Sequence, residues 1–156
     1  MNVPSASLGD LPDVNVWIAL TATHHEHHAI ARAYWTDQAA RAVWFCRFTQ
    51  IGMTRLLGQP RVMGTANART PRQAWDTAQV LLTQPGVGLC AEPAGVDAEI
   101  ARLSHSGTWS GPHWTDAYLA AFATAANLRI VSFDRDFARF PDQHWLHLTP
   151  PPSEAA

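Results

Sequence analysis

The stretch VSFDRDF, Val131 to Phe137, runs a hydrophobic strand straight into two carboxylates, Asp134 and Asp136, with Arg135 between them. Val131 and Phe133 suit a buried strand, and Ser132 between them favours a turn. The acids that follow have two readings: a solvated strand-ending turn, or a metal site at the end of the strand. The surrounding chain bears on the choice. Short apolar runs recur at AVWFC (42–46), VGLCAEP (87–93), LRIVSF (128–133) and HWLHL (144–148). Between them lie helical patterns. A first strand at Asp10 to Asp13 leads into VNVWIAL, and 27–40 reads as an amphipathic helix. FTQIGMTRLLG (48–58) closes on Gly58 as its C′ residue. The helix from Thr70 has a threonine N-cap and Pro71 at its first position. Helices follow at 95–107 and at 111–128, the latter opened by Pro112. Strands alternating with helices predict an α/β fold, a central parallel sheet covered on both faces. In such sheets ligands sit beyond the carboxyl ends of the strands.

The chain has 156 residues, 47% hydrophobic, with seven tryptophans. That suits a single folded domain and excludes a disordered chain. No apolar run approaches the ~18 residues of a membrane span, and the first nine residues lack the features of a secretory signal. The boundaries read as a flexible N-terminus (1–9), one domain (10–149) and a disordered tail (150–156). Cys46 and Cys90 have no CxxC spacing and read as reduced, buried residues. The expected location is the cytoplasm. A net charge of −2 gives no overall nucleic-acid signature. All eleven basic residues are arginine, which suits bidentate phosphate contacts; a GC-rich genome produces the same bias.

Helix N-termini and strand C-termini share one edge of a β-α sheet. Asp13 follows the first strand, Asp134 the late one, and Asp116 lies near the start of the 111–128 helix. The three therefore converge in space although distant in sequence. Asp116 shares a helix face with Leu119, Ala120 and Ala123, an apolar face where a carboxylate is costly unless paired or bound to a cation. Each acid also has a bland reading: an Asx-turn for Asp13, a helix-dipole contact for Asp116, a turn for Asp134. Clustered carboxylates repel unless a cation screens them. Hard oxygen ligands select Mg²⁺ or Mn²⁺, ions that serve phosphoryl chemistry.

In order and spacing, LPDVNVWIAL, FTQIGMTRLL, HWTDAYLAAFA and IVSFDRDFARF resemble the PIN-domain ribonucleases, and within them the VapC toxins of bacterial type II toxin–antitoxin systems. The resemblance runs from Leu11 to Leu148. It implies a single-domain α/β/α sandwich and Mg²⁺-dependent (or Mn²⁺-dependent) endonucleolytic cleavage of RNA, tRNA or rRNA, by an activated water. Carried over by position, Asp13 and Asp116 are metal ligands, Asp134 and Asp136 complete the catalytic acids, and Asn15 orients groups near Asp13. Many family members carry a Glu in the helix after the second strand. Here that stretch offers Thr49 and Gln50, so Gln50 is the supporting residue at that place. The resemblance further implies a homodimer neutralised by a VapB-type antitoxin in a hetero-oligomer. A degenerate PIN domain that only binds RNA or protein is the alternative. A D-x-D phosphatase using Asp134 and Asp136 fits less well, because that motif belongs after an early strand and before a Thr.

Other features have competing readings. In HHEHH (24–28), His24 and His28 have the i, i+4 spacing of zinc ligands, but no third ligand is evident and the segment reads as the solvated start of a helix. Arg47, Arg55 and Arg61 could meet RNA phosphates or solvent. Trp109 and Trp114 could stack on bases or pack in the core.

Overall fold

The computed structural model describes residues 9–150; the N-terminal segment and the tail therefore lie almost wholly outside the described residues. Five short strands, β1 (Asp10–Pro12), β2 (Val43–Phe45), β3 (Val87–Leu89), β4 (Arg129–Ser132) and β5 (Trp145–His147), form one sheet in the order β3-β2-β1-β4-β5. Every pairing is parallel. Helices α1 (Val14–Thr21) and α2 (His28–Asp37) join β1 to β2. Helices α3 (Arg47–Leu57), α4 (Pro60–Met63) and α5 (Pro71–Leu82) join β2 to β3. Helices α6 (Val96–Ser106) and α7 (Trp114–Ala126) cross to β4, and a 3₁₀ turn, Arg135–Arg139, leads on to β5.

Parallel strands need crossovers on both faces, and the buried side chains divide accordingly. Leu11 and Ile130 pack with Val96, Leu103, Leu119 and Phe122 of α6 and α7. On the other face Val43 and Phe45 pack with Trp17, Ile18, Met53, Leu57, Ala74 and Ala78 from α1, α3 and α5. Trp17 stacks on Phe45 with ring centroids 3.7 Å apart. The expected α/β/α sandwich with a central parallel sheet is what the chain forms.

The chain steps outward from β1 to β2 and β3, then returns to place β4 on the other side of β1. The switch point, where an open α/β sheet binds its ligand, is the crevice beyond the carboxyl ends of β1 and β4. At the opposite end of β1, fully buried Asp10 accepts hydrogen bonds from Tyr34 Oη (2.8 Å), Ala40 N (2.9 Å), Arg129 Nε (2.8 Å) and Arg129 Nη2 (2.9 Å).

Local capping follows the sequence in part. The Thr70 side chain accepts from Gln73 N while Gln73 Oε1 accepts from Thr70 N, a reciprocal capping box on α5. Gly58 does end α3, but at φ −88°, not in the left-handed region expected of a C′ glycine, because the chain continues directly into α4. The left-handed cap occurs instead at Asn127, φ 53°, after α7. Pro112 opens a 3₁₀ turn, Gly111–His113, and α7 proper starts at Trp114.

Candidate active site

Asp13 and Asp134 leave the carboxyl ends of neighbouring strands and are tied through one hydroxyl. Asp13 N donates to Val131 O at 2.8 Å. Its Oδ1 accepts from Val14 N at 2.7 Å, capping α1, and its Oδ2 accepts from Ser132 Oγ at 3.0 Å. The same Ser132 oxygen accepts from Asp134 N at 2.9 Å, and Asp134 Oδ1 accepts from Asp136 N at 2.8 Å. The bland readings of these two acids, an Asx-type cap and a strand-ending turn, thus describe real hydrogen bonds. They also fix both carboxylates at the switch point, with each Asp13 oxygen and Asp134 Oδ1 held by a donor.

Asp116 reaches the same place from the first turn of α7. Asp13, Asp116 and Asp134 line one cleft of about 340 Å³, faced from α3 by Phe48, Ile51, Gly52 and Arg55. A larger groove of about 900 Å³ lies between α1 and α5. Its single carboxylate, Asp76, is held by Arg72 Nε at 2.8 Å, so acidic chemistry is concentrated in the smaller cleft.

Burial, then repulsion from Asp13, Asp134 and Asp136, pushes the Asp116 carboxyl up to about 6. Burial also raises the pKa of Asp13, against the opposing pull of the Val14 and Ser132 hydrogen bonds. Such a set favours a cation. One carboxylate oxygen from each of Asp116, Asp134 and Asp136 lies within 4.8 Å of the others, the only such group among the described residues. An all-oxygen set of this kind suits a hard divalent ion. Asp13, expected as a ligand with Asp116, lies beside this trio, not within it.

The other expected residues divide. Asn15 is exposed and lines the cleft. Gln50 does not: it is 1% exposed, and its Oε1 accepts from Arg47 Nη1. The α3 residues that do face the acids offer no carboxylate. Arg55 lines the cleft, whereas Arg47 is taken up by Gln50. Trp109 packs against the α6–α7 core, with Trp114 edge-on at 4.3 Å and 51% exposed. The HHEHH segment leads into α2, whose first residue is His28, and its imidazoles form no metal-ligating group among the described residues.

Ser132 and His113 were not singled out from sequence. His113 Nε2 lies 3.4 Å from Asp136 Oδ2, and Arg139 Nη2 lies 2.9 Å from Asp136 Oδ1. The available signals were the hydroxyl two residues before Asp134 and the imidazole three residues before Asp116.

Comparison with known proteins agrees with this geometry. Residues 11–143 match the PIN domain family. Ribonuclease VapC41 of Mycobacterium tuberculosis is 35% identical over 135 residues, covering 83% of this chain and 92% of the relative. Ribonuclease VapC33 of the same organism is 33% identical over 145 residues, covering 86% and 94%. Among solved structures, Mycobacterium tuberculosis VapC20, a sarcin-ricin loop cleaving toxin, superposes with a TM-score of 0.61 at 16% identity, covering 83% of this chain and 92% of that one. DNA-bound VapBC from Salmonella typhimurium gives 0.61 at 16% identity, covering 91% and 99%. By its fold, the spacing of its acids and these relatives, the chain belongs to the PIN-domain family, among the VapC ribonucleases.

Proposed function

We propose that this protein is the toxin of a type II toxin–antitoxin pair and acts as an endoribonuclease dependent on Mg²⁺ or Mn²⁺. The observation that carries the reading is the convergence of Asp13, Asp116, Asp134 and Asp136 at the β1/β4 switch point, with Arg55 across the cleft. Asp116, Asp134 and Asp136 would hold the cation. When bound, it supplies an acidified water and neutralises charge on the phosphate. The protein's own groups do the rest. Arg55 meets the phosphodiester of the incoming strand. Asp13, held by Val14 N and Ser132 Oγ, keeps a fixed acceptor oxygen for the water that attacks phosphorus. Asp116, its carboxyl pushed up to about 6 by burial and its acidic neighbours, would be held ionised by the cation. His113 and Arg139 hold Asp136 in place from outside. Asn15 orients groups near Asp13. A VapB-type antitoxin is the expected neutralising partner, with the toxin as a homodimer and RNA, tRNA or rRNA, as substrate.

One observation favours a second reading, a non-catalytic domain that only binds RNA or protein: α3 presents Gly52 and no acid to the cleft. Expression in bacteria without antitoxin separates the two. The ribonuclease reading expects growth arrest by the wild type, relief by Asp116→Asn, and new RNA 5′ ends in arrested cells. If neither protein slows growth and the purified protein with Mn²⁺ cuts no RNA, the ribonuclease reading is lost.

A further inference from the structure

Beside the acidic cleft lies a second pocket that the reaction does not use. It has a volume of about 350 Å³ and is lined by Asn15, His25, Glu26, His27, Phe133 and Asp134. Asn15 and Asp134 belong to both, so the pocket opens directly off the cleft. Its size is at the low end for small-molecule sites, enough for one base but not for a large ligand.

The walls are held in place. His28 Nδ1 hydrogen-bonds Ala19 O at 2.7 Å, pinning the histidine-rich turn to α1. His27 N donates to His25 Nδ1 at 3.1 Å, which leaves the neutral His25 ring its proton on Nε2. The His27 ring stacks on Phe133, centroids 4.7 Å apart and planes 26° apart. Phe133 O in turn accepts from His147 Nε2 at 3.1 Å. Burial, reinforced by repulsion from His27, lowers the pKa of His25, so at neutral pH it offers a neutral ring. The pocket therefore combines an aromatic surface, one imidazole donor, one amide and the exposed Glu26 carboxylate.

That chemistry rejects a phosphate. No arginine lines the pocket, and two carboxylates do. It suits a neutral planar ring with adjacent donors on its edge. Single-stranded RNA is read in this way, by splaying a base onto an aromatic side chain and bonding its Watson–Crick edge. Guanine presents two neighbouring N–H donors to a carboxylate and a carbonyl oxygen to an imidazole or amide donor. We propose that this pocket binds a guanine base adjacent to the scissile phosphate, stacked on His27 and read by Glu26, with Asn15 and His25 as donors. The inference rests on the ribonuclease reading of the neighbouring cleft.

The test is cleavage of a random single-stranded RNA library by the full-length protein with Mn²⁺, mapped by 5′-end sequencing, followed by kinetics on the preferred oligonucleotide. The wild type is expected to show a guanine preference at one position flanking the cut. His27→Ala should raise KM about tenfold with kcat nearly unchanged, as expected for the loss of one base stack. His27→Phe should restore KM. Glu26→Gln, at a largely exposed side chain whose Oε1 lies 3.7 Å from His27 Nε2 and whose amide keeps the same shape, should relax the preference, and replacing the guanine by inosine should weaken the wild type alone. If wild type and variants share cut sites and KM, the pocket is no base subsite and the ribonuclease reading stands. If the variants cleave like the wild type but escape antitoxin neutralisation, the pocket serves a protein partner and the inference is overturned. If the wild type cuts no RNA at all, both readings fail together.

Discussion

Asp116 carries a cost that a cation relieves. Folded, it keeps its proton up to about pH 6, whereas an ordinary aspartate releases it near 3.8. Between those values the folded state binds more protons than the unfolded chain, so stability falls as pH rises through this window. The gap is worth about 3 kcal/mol unscreened, and solvent at this partly exposed carboxyl brings it to about 1–2 kcal/mol. Asp116→Asn should therefore stabilise the metal-free protein by about that amount at pH 8 and by almost nothing at pH 4. Thermal unfolding in chelator at the two pH values measures it; an equal gain at both would remove the electrostatic cause. Adding Mn²⁺ should raise the melting temperature of the wild type much more than that of the variant. Asp13, Asp116 and Asp134 were legible in the sequence because topology decides where strand ends and helix starts go. Their local hydrogen bonds were not, since a two-residue turn around Ser132 leaves no periodic signal.

Helix α3 is where the sequence misled, and the reason lies in its two apolar faces. Met53 and Leu57 point into the core, while Phe48 and Ile51 are exposed beside the cleft. The resemblance puts Gln50 at the site because its stretch lies where many family members carry a Glu; a pattern apolar on both sides cannot arbitrate which face meets the acids, and in the fold Gln50 is buried. Helix α3 meets α1 at Gly52. A Cβ there would come within 2.7 Å of Val14 Cγ2 on α1. Alanine for glycine in a helix normally gains about 0.5–1 kcal/mol; against a branched, half-buried neighbour, overpacking costs about 1–3 kcal/mol. Gly52→Ala should thus destabilise the protein, and Val14→Ala in the same chain should recover most of the loss. A double-mutant cycle by urea unfolding checks this, and additive single effects would show that the two helices do not interlock here. The alternation of strands and helices, by contrast, was plain in the sequence. Regular crossovers leave long periodic segments, whereas the four-residue α4 is too short to do so.

At the scale of the whole molecule, β1 has a carboxylate at each end with opposite duties. Asp13 faces the cleft, while Asp10 closes the far end of the sheet. Arg129 of β4 grips Asp10 with two hydrogen bonds and also donates from Nη2 to Gln38 O at 2.9 Å, where α2 ends. Nothing in the sequence announced this pairing, because its partners lie 119 residues apart. The ion pair joins the central strands to the first crossover, and its carboxylate is wholly buried while Arg129 is 29% exposed. Replacing a buried pair by apolar groups is often nearly neutral, whereas removing one partner costs about 3–5 kcal/mol. Asp10→Ala strands the Arg129 charge together with the Tyr34 hydroxyl and the Ala40 amide. In a domain whose total stability is about 5–15 kcal/mol, that loss removes a large share of the stability. The companion Asp10→Leu with Arg129→Met should recover much of it, because no lone charge remains. Urea titration of the three proteins in chelator measures the difference. A loss below about 1 kcal/mol for Asp10→Ala would mean the pair is not what holds that edge. Because Asp10 lies at the opposite end of β1 from Asp13, the fraction of Asp10→Ala that remains folded should still bind Mn²⁺ with the wild-type affinity. A parallel loss of metal binding would reveal that strain at one end of the strand reaches the other.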